Sequence, residues 1–200
     1  FVAPKYFADL WRNAVKPTVP IFSIPFATKD LSQYLSGLDT FEAPINKPYR
    51  VAIFGGLSSA HGLPGILLLI DEIMPALQKR GLENDFEFVH IGTKFIYPHL
   101  AKKVYNSGIK LLGFLPEDQF AETLNRADIV LIATPVPPGT GSRIQAACAA
   151  NGCAVVHKVV EDNYPEIENK KNCLTATTGD EFANAFVKIC ADRELGRRLR

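Results

Sequence analysis

From Pro48 onward the sequence alternates short strand-like runs with stretches of helical periodicity, and that alternation restricts the fold more than any other feature. Arg50 to Phe54 is an apolar run ending in Gly55-Gly56. After it Leu63, Ile66, Leu67, Ile70, Ile73, Met74 and Leu77 recur at the steps of one helix face. The order returns with Phe86 to Ile91 as strand and Phe95 to Asn106 as helix, then Ile109 to Phe114 as strand and Glu117 to Asn125 as helix after Pro116. Asp128 to Thr134 is the next strand, Ser142 to Ala150 a helix of small residues and Ala154 to His157 a further strand. Asn172 to Thr175 and a helix carrying Phe182, Ala185, Phe186 and Ile189 close the series. Such alternation predicts βαβ units and hence an α/β fold, a Rossmann-like parallel sheet with helices on both faces.

Before Pro48 the character differs. A helix-like stretch, Lys5 to Ala14, precedes a segment from Lys16 to Phe26 in which Pro17, Pro20 and Pro25 remove donors and confine the chain to an edge strand or extended connection. The division falls at Asn46-Lys47-Pro48, which separates residues 1–47 from a domain of residues 48–200. Two hundred residues with 47% hydrophobic content suffice for one sizeable core. A formal net charge of +1, with Lys and Arg scattered among Asp and Glu, leaves no basic stripe, so no nucleic-acid partner is expected. Cys148, Cys153, Cys173 and Cys190 lack C-x-x-C spacing and read as small buried hydrophobes of a reducing compartment, with no metal site expected. The longest apolar run, Ile66 to Ile70, is too short to cross a bilayer. The chain opens on Phe1-Val2-Ala3-Pro4 and stops at Arg200 in a charged helix-like stretch, so both ends read as cuts.

Parallel sheets bind ligands beyond the carboxyl ends of their strands. The first loop there, Phe54-Gly55-Gly56-Leu57-Ser58-Ser59-Ala60-His61-Gly62, lets backbone N–H groups approach a phosphate, and serves equally as a tight turn. It is not the G-x-G-x-x-G fingerprint, and the second strand ends Val89-His90-Ile91-Gly92 with no acidic residue for a ribose, which disfavours a nicotinamide-cofactor domain. The loop after the fourth strand, Thr134-Pro135-Val136-Pro137-Pro138-Gly139-Thr140-Gly141-Ser142-Arg143-Ile144, ends on Ser142 as N-cap of a helix. An anion is expected there, held by helix N–H groups and by Arg143; Arg143 reads alternatively as a surface salt bridge, but an arginine in a first helical turn opposes the dipole, which favours an anionic partner. Lys94 and Lys158 lie at predicted carboxyl ends of strands, as solvated cations or as groups near a ligand; His90 and His157 sit in apolar strands and read as hydrogen-bonded core or rim histidines.

Several of these segments together resemble the C-terminal domain of GT-B glycosyltransferases, closest to glycosyltransferase family 4. The resemblance covers Arg50 to Arg200: the strand with its Gly loop, Leu112-Gly113-Phe114-Leu115 followed by Glu117-Asp118-Gln119-Phe120, and Ala127-Asp128-Ile129-Val130-Leu131. It continues through Gly139-Thr140-Gly141-Ser142-Arg143-Ile144-Gln145-Ala146-Ala147 and Ala149-Ala150-Asn151-Gly152-Cys153-Ala154-Val155-Val156. It implies the C-terminal half of a GT-B fold, with residues 1–47 as the tail of an acceptor-binding domain and its connection. It also implies transfer of a sugar from a nucleotide sugar to a saccharide or lipid-linked acceptor, with retention and without a metal or separate cofactor. The acceptor would be met by the domain missing here, and the fragment alone would transfer nothing. The protein would be cytoplasmic, with the full-length form open to peripheral membrane association. By position, Gly55, Gly56 and His61 fall near the diphosphate, Gly139, Thr140, Gly141, Ser142 and Arg143 at sugar and phosphates, and Gly113, Phe114 and Leu115 at the base, although Phe114 reads equally as a core aromatic.

The departures from the family pattern are specific. Where members commonly carry an arginine after the first glycine and a lysine farther on, this chain has Gly56 and, approximately, His61, whose ordinary pKa of about 6.5 leaves it mostly neutral at physiological pH. No acidic residue occurs between Asp128 and Glu161, so the family's glutamate pair around the second loop is missing. No catalytic residue is therefore assigned. The alternative to an active transferase is a non-catalytic GT-B-like domain used for binding or assembly.

Overall fold

The structure is a computed structural model and describes residues 2–3, 22–23, 47–59, 62–133, 148, 152–158 and 168–199. Two short strands, β1 (Val2–Ala3) and β2 (Phe22–Ser23), pair in parallel. The main sheet holds β3 (Tyr49–Phe54), β4 (Phe86–Ile91), β5 (Lys110–Gly113), β6 (Ile129–Ile132), β7 (Val155–Lys158) and β8 (Leu174–Ala176) in the order β5-β4-β3-β6-β7-β8. Every pairing in it is parallel. The order runs outward in both directions from β3 and β6, so the topological switch point lies between those two strands.

The helical elements are α1 (Leu63–Leu68), α2 (Met74–Gln78), α3 (Pro98–Tyr105), α4 (Glu117–Asn125), α5 (Gly179–Ala191) and α6 (Arg193–Arg198). Alternate strand residues point to opposite faces, and each face has its own core. One holds Val51, Ile53, Phe86 and Phe88 with Ile66, Leu69 and Ile73, Val104 of α3, Phe182 and Phe186 of α5, and Leu195 of α6. The other holds Ala52, Val89, Val130 and Val155 with Ala121 and Leu124 of α4 and with Cys148. Helices thus cover both faces, as the alternation predicts.

Boundaries moved where proline or a bulge intervenes. The helix expected from Phe95 begins at Pro98, because proline fixes φ and lacks the N–H that is unpaired in a first turn anyway. The single helix face read from Leu63 to Leu77 is divided by a π-helical turn, Leu69–Ile73, in which the N–H of Met74 reaches back to the Leu69 carbonyl. Pro75 follows at once, and a proline ring inside a helix clashes with the carbonyl four residues back. The wider turn rotates the buried face: Leu68, Leu69 and Ala76 are buried, while Leu63, Leu67, Ile70 and Met74 are only partly so. The expected strands 109–114, 128–134, 154–157 and 172–175 are found at 110–113, 129–132, 155–158 and 174–176, and α4 spans the predicted residues.

Local chemistry fixes the last helix pair. Thr178 Oγ1 accepts from the Glu181 N–H at 3.4 Å while Glu181 Oε2 accepts from the Thr178 N–H at 3.3 Å, a reciprocal cap of the α5 N-terminus. Gly179 lets that terminus rest on the π turn, since a Cβ there would stand 2.4 Å from the Glu72 carbonyl oxygen. Cys148, Cys153 and Cys173 are buried and Cys190 is partly buried, in keeping with their reading as small hydrophobes. Burial pushes the Cys173 thiol up to about 11. The expected helices 5–14 and 142–150 fall outside the described residues, apart from Cys148, which is helical.

Candidate functional site at the carboxyl edge of the sheet

Because all six strands of the main sheet run the same way, the loops after β3, β4 and β5 emerge on one edge. Phe54 pairs with Ile91 and Ile91 with Gly113, so the next residues, Gly55, Gly92 and Phe114, form a row just beyond the strands. The Gly55 N–H donates to the Ile91 carbonyl at 3.1 Å and the Gly92 N–H to the Gly113 carbonyl at 2.9 Å, which stitches that row to the sheet. The expected placement of Gly55 and Gly113 on one edge is observed; Gly139 lies outside the described residues.

Glycine is required in this row by two independent constraints. Gly55, Gly92 and Gly113 have φ of +130°, +145° and +84°, conformations that side chains resist. A Cβ on Gly92 would also stand 2.1 Å from the Gly55 carbonyl oxygen, so the β3 and β4 loops cross in backbone contact. The first loop closes on itself in the same manner, because a Cβ on Gly62 would stand 2.3 Å from the Gly56 carbonyl oxygen. Ser59 holds that turn, its hydroxyl donating to the Gly56 carbonyl and accepting from the Gly62 N–H, both at 2.9 Å. Tyr97 Oη reaches the Ser58 carbonyl at 3.3 Å and ties the segment after β4 to the loop after β3. The result is a firm shelf of backbone with little side chain above it.

Gly56 sits close to the β4 loop. A Cβ there would stand 2.9 Å from Thr93 Oγ1, so a side chain at this position would require the Thr93 hydroxyl to shift. The neighbouring Lys94 leans the other way: its Cε lies 2.8 Å and its Nζ 3.5 Å from the place of a Gly113 Cβ, over β5 and away from the switch point. Phe114 is 89% exposed, which overturns its reading as a core aromatic. Alternation along the edge strand β5 accounts for this: Lys110, Leu112 and Phe114 share its exposed face while Leu111 and Gly113 turn inward, and His90 pairs with Leu111 but Ile91 with Gly113, so Leu112 is the extra residue of a bulge. Leu115 is partly buried beside it. Phe95, 67% exposed, packs edge-on against Tyr97 with ring centroids 6.4 Å apart and adds a second open aromatic.

His90 is fully buried and its Nε2 lies 2.8 Å from the Gly55 carbonyl oxygen. Since that oxygen only accepts, Nε2 carries the proton, and Nδ1 is left as a buried nitrogen without a hydrogen-bond partner among the described residues. His157 is also buried and places Nδ1 2.6 Å from the Lys158 carbonyl oxygen. Both are core histidines, as their apolar strands suggest. Burial lowers the pKa of each, with the backbone hydrogen bond acting in the opposite sense. The unfolded chain therefore takes up protons near the ordinary value of 6.5 and the folded chain only at lower pH. Stability is expected to be full above about pH 6.5 and to fall as pH drops through the folded-state pKa values. Thermal unfolding between about pH 7.5 and 5.5 checks this, and His90→Gln with His157→Gln should flatten the dependence.

Of the residues picked from sequence, Gly55, Gly56, Gly113, Phe114 and Leu115 gather on this edge. His61, Gly139, Thr140, Gly141, Ser142 and Arg143 lie outside the described residues. The sequence pattern does not single out Gly92 or Thr93 as site-formers, although a glycine directly after a parallel strand is the available signal. Among the described residues no group of three His, Cys, Asp or Glu is placed to hold a metal ion.

A six-stranded parallel sheet with helices on both faces and a glycine-lined carboxyl edge defines a Rossmann-like domain of the GT-B kind. Solved structures that share the fold include HepE from Anabaena in complex with UDP and glucose, with 17% identity and a TM-score of 0.66 over 99% of this chain and 55% of HepE. TarM of S. aureus has 15% identity and a TM-score of 0.69 over 99% of this chain and 38% of TarM. The C-terminal domain of LpcC, a glycosyl transferase group 1 family protein of Francisella tularensis, has 22% identity and a TM-score of 0.56 over 88% of this chain and 89% of that domain. The chain thus spans about half the length of HepE. No protein-family model and no curated protein matches the sequence.

Proposed function

We propose that this chain is the donor-binding part of a glycosyltransferase that moves a sugar from a nucleotide sugar to a saccharide or lipid-linked acceptor. The observation that carries the reading is the bare backbone row of Gly55, Gly92 and Gly113 beside an exposed Phe114, on the sheet edge where a Rossmann-like fold receives ligands. Support comes from the fold shared with HepE, which has been solved with UDP and with UDP-glucose. On this reading the base lies over Gly113, Phe114 and Leu115. The diphosphate lies toward Gly55, Gly56 and His61, and Gly139, Thr140, Gly141, Ser142 and Arg143 receive sugar and phosphates from the other side of the switch point.

Catalysis would then be chiefly electrostatic. Loop N–H groups and Arg143 would stabilise the departing nucleoside diphosphate, with retention at the anomeric carbon and no metal or separate cofactor. Residues 1–47 would belong to the acceptor domain and its connection, and residues 48–200 to the donor domain. No helix among the described residues is long and apolar enough to cross a membrane. A cytoplasmic protein, attached peripherally to a membrane where the acceptor is a lipid, agrees with that.

A second reading has its own observation. With Gly56 close to Thr93 and no glutamate pair near the second loop, a GT-B-like domain kept for binding or assembly also accommodates the sequence. Titration calorimetry with UDP, GDP, ADP and CDP separates the two: saturable binding of at least one supports the donor reading, and no binding of any leaves only assembly. Phe114 offers a finer check. Phe114→Ala is expected to change stability by less than about 0.5 kcal/mol, since the ring is exposed. It should weaken nucleoside diphosphate binding by about 1 kcal/mol, the low end of base stacking on an aromatic. Paired denaturation and calorimetry measure both.

A further inference from the structure

We infer that His90 is a positioning residue that sets the shape of the first glycine loop, acting from beneath the sheet edge without touching ligand. The inference rests on the donor-binding reading for its purpose but on independent geometry for its substance. His90 stands on β4 at the next alternate position after Phe88 and so shares the face of Phe86 and Phe88, buried rather than open to the edge. A leucine or valine would fill such a place without leaving a polar nitrogen unpaired. Instead the chain buries an imidazole whose Nδ1 has no partner among the described residues, and the compensating contact is its Nε2–H bond to the Gly55 carbonyl at 2.8 Å.

That carbonyl is the pivot of the loop. Gly55 has φ +130° and could turn its peptide readily if nothing held it. Its N–H is fixed by the Ile91 carbonyl, its carbonyl by His90, and the absence of a side chain on Gly92 leaves the carbonyl room to point there. The peptide from Gly55 to Gly56 is therefore oriented by β4, and the Gly56 N–H follows that orientation. A shift of about half an ångström in such a group is enough to degrade recognition. Among the described residues the hydrogen-bond partner of His90 is the Gly55 backbone carbonyl, with no acidic or basic side chain taking part.

The test compares His90→Gln, whose amide nitrogen can donate from about the same place as Nε2, with His90→Met, which fills the space and donates nothing. UDP is the probe, titrated below the unfolding temperature of every variant. Binding within about twofold of wild type for His90→Gln and about tenfold weaker for His90→Met is expected. Unchanged binding by His90→Met, or equal losses in both, would overturn the inference, because donation would then not matter. Amide hydrogen exchange supplies a reading free of ligand: residues 55–59 should exchange faster in His90→Met and at the wild-type rate in His90→Gln. Gly92→Ala, which pushes the same carbonyl away from the other side, should accelerate exchange likewise and stands in should His90→Met not fold. If wild type binds no UDP while the exchange pattern appears, the donor reading fails and the positioning role stands. A uniform exchange rate across the variants defeats the positioning role whatever UDP does.

Discussion

Gly92→Ala is expected to lower stability by about 3 kcal/mol, whereas Gly108→Ala should cost only about 1 kcal/mol. Both glycines have positive φ, +145° and +82° respectively, so both variants carry conformational strain. They differ in what surrounds them. Nothing lies within 4 Å of a Cβ on Gly108, but a Cβ on Gly92 would meet the Gly55 carbonyl oxygen at 2.1 Å and its carbon at 2.8 Å. That neighbour is backbone and held at both ends by hydrogen bonds, so displacing it disturbs those bonds, a cost that a rotating side chain would not carry. Urea unfolding gives the two losses directly. Equal losses would mean that the crossing of the β3 and β4 loops yields easily and does not form a firm shelf.

The second large effect concerns Arg143. If UDP binds as proposed, Arg143→Ala should weaken it by about 1.5–3 kcal/mol, the scale of a lost charge-assisted hydrogen bond. His61→Ala should matter little at neutral pH, because a histidine of ordinary pKa carries little charge there. Both residues lie outside the described part of the structure, so the expectation comes from the sequence: a permanent cation next to a glycine-flexible helix start, against a neutral imidazole. The comparison is internal and does not depend on the base chosen. Full affinity in Arg143→Ala with a large loss in His61→Ala would shift the phosphate to the first loop.

Much of the sheet was legible because its strands are short apolar runs bounded by Gly, Pro and Asp, and because Glu117–Asn125 is a helix introduced by a proline. Periodicity failed at Leu69–Ile73, where Pro75 forces a wider turn and rotates the buried face; the proline was visible, but its remedy depends on packing against α5. The site was legible in part. Gly55 and Gly113 could be placed on one edge from strand order alone. Gly92 and Thr93 could not be ranked, since their importance lies in crossing another loop, a non-local contact that local pattern does not encode. Phe114 was ambiguous for a related reason: a phenylalanine after an apolar strand usually points inward, but β5 lies at the edge of the sheet, where the face of Lys110, Leu112 and Phe114 is open to solvent.

Backbone amide chemical shifts during a UDP titration test the central claim most directly, because they report where the nucleotide sits as well as whether it binds. The predicted result is saturable change at residues 55–57, 92–94 and 113–115 on the carboxyl edge and at 139–143, with Tyr49, Phe86 and Lys110 at the opposite ends of the same strands unmoved. Changes centred on that opposite edge, or none at saturating UDP, would contradict it.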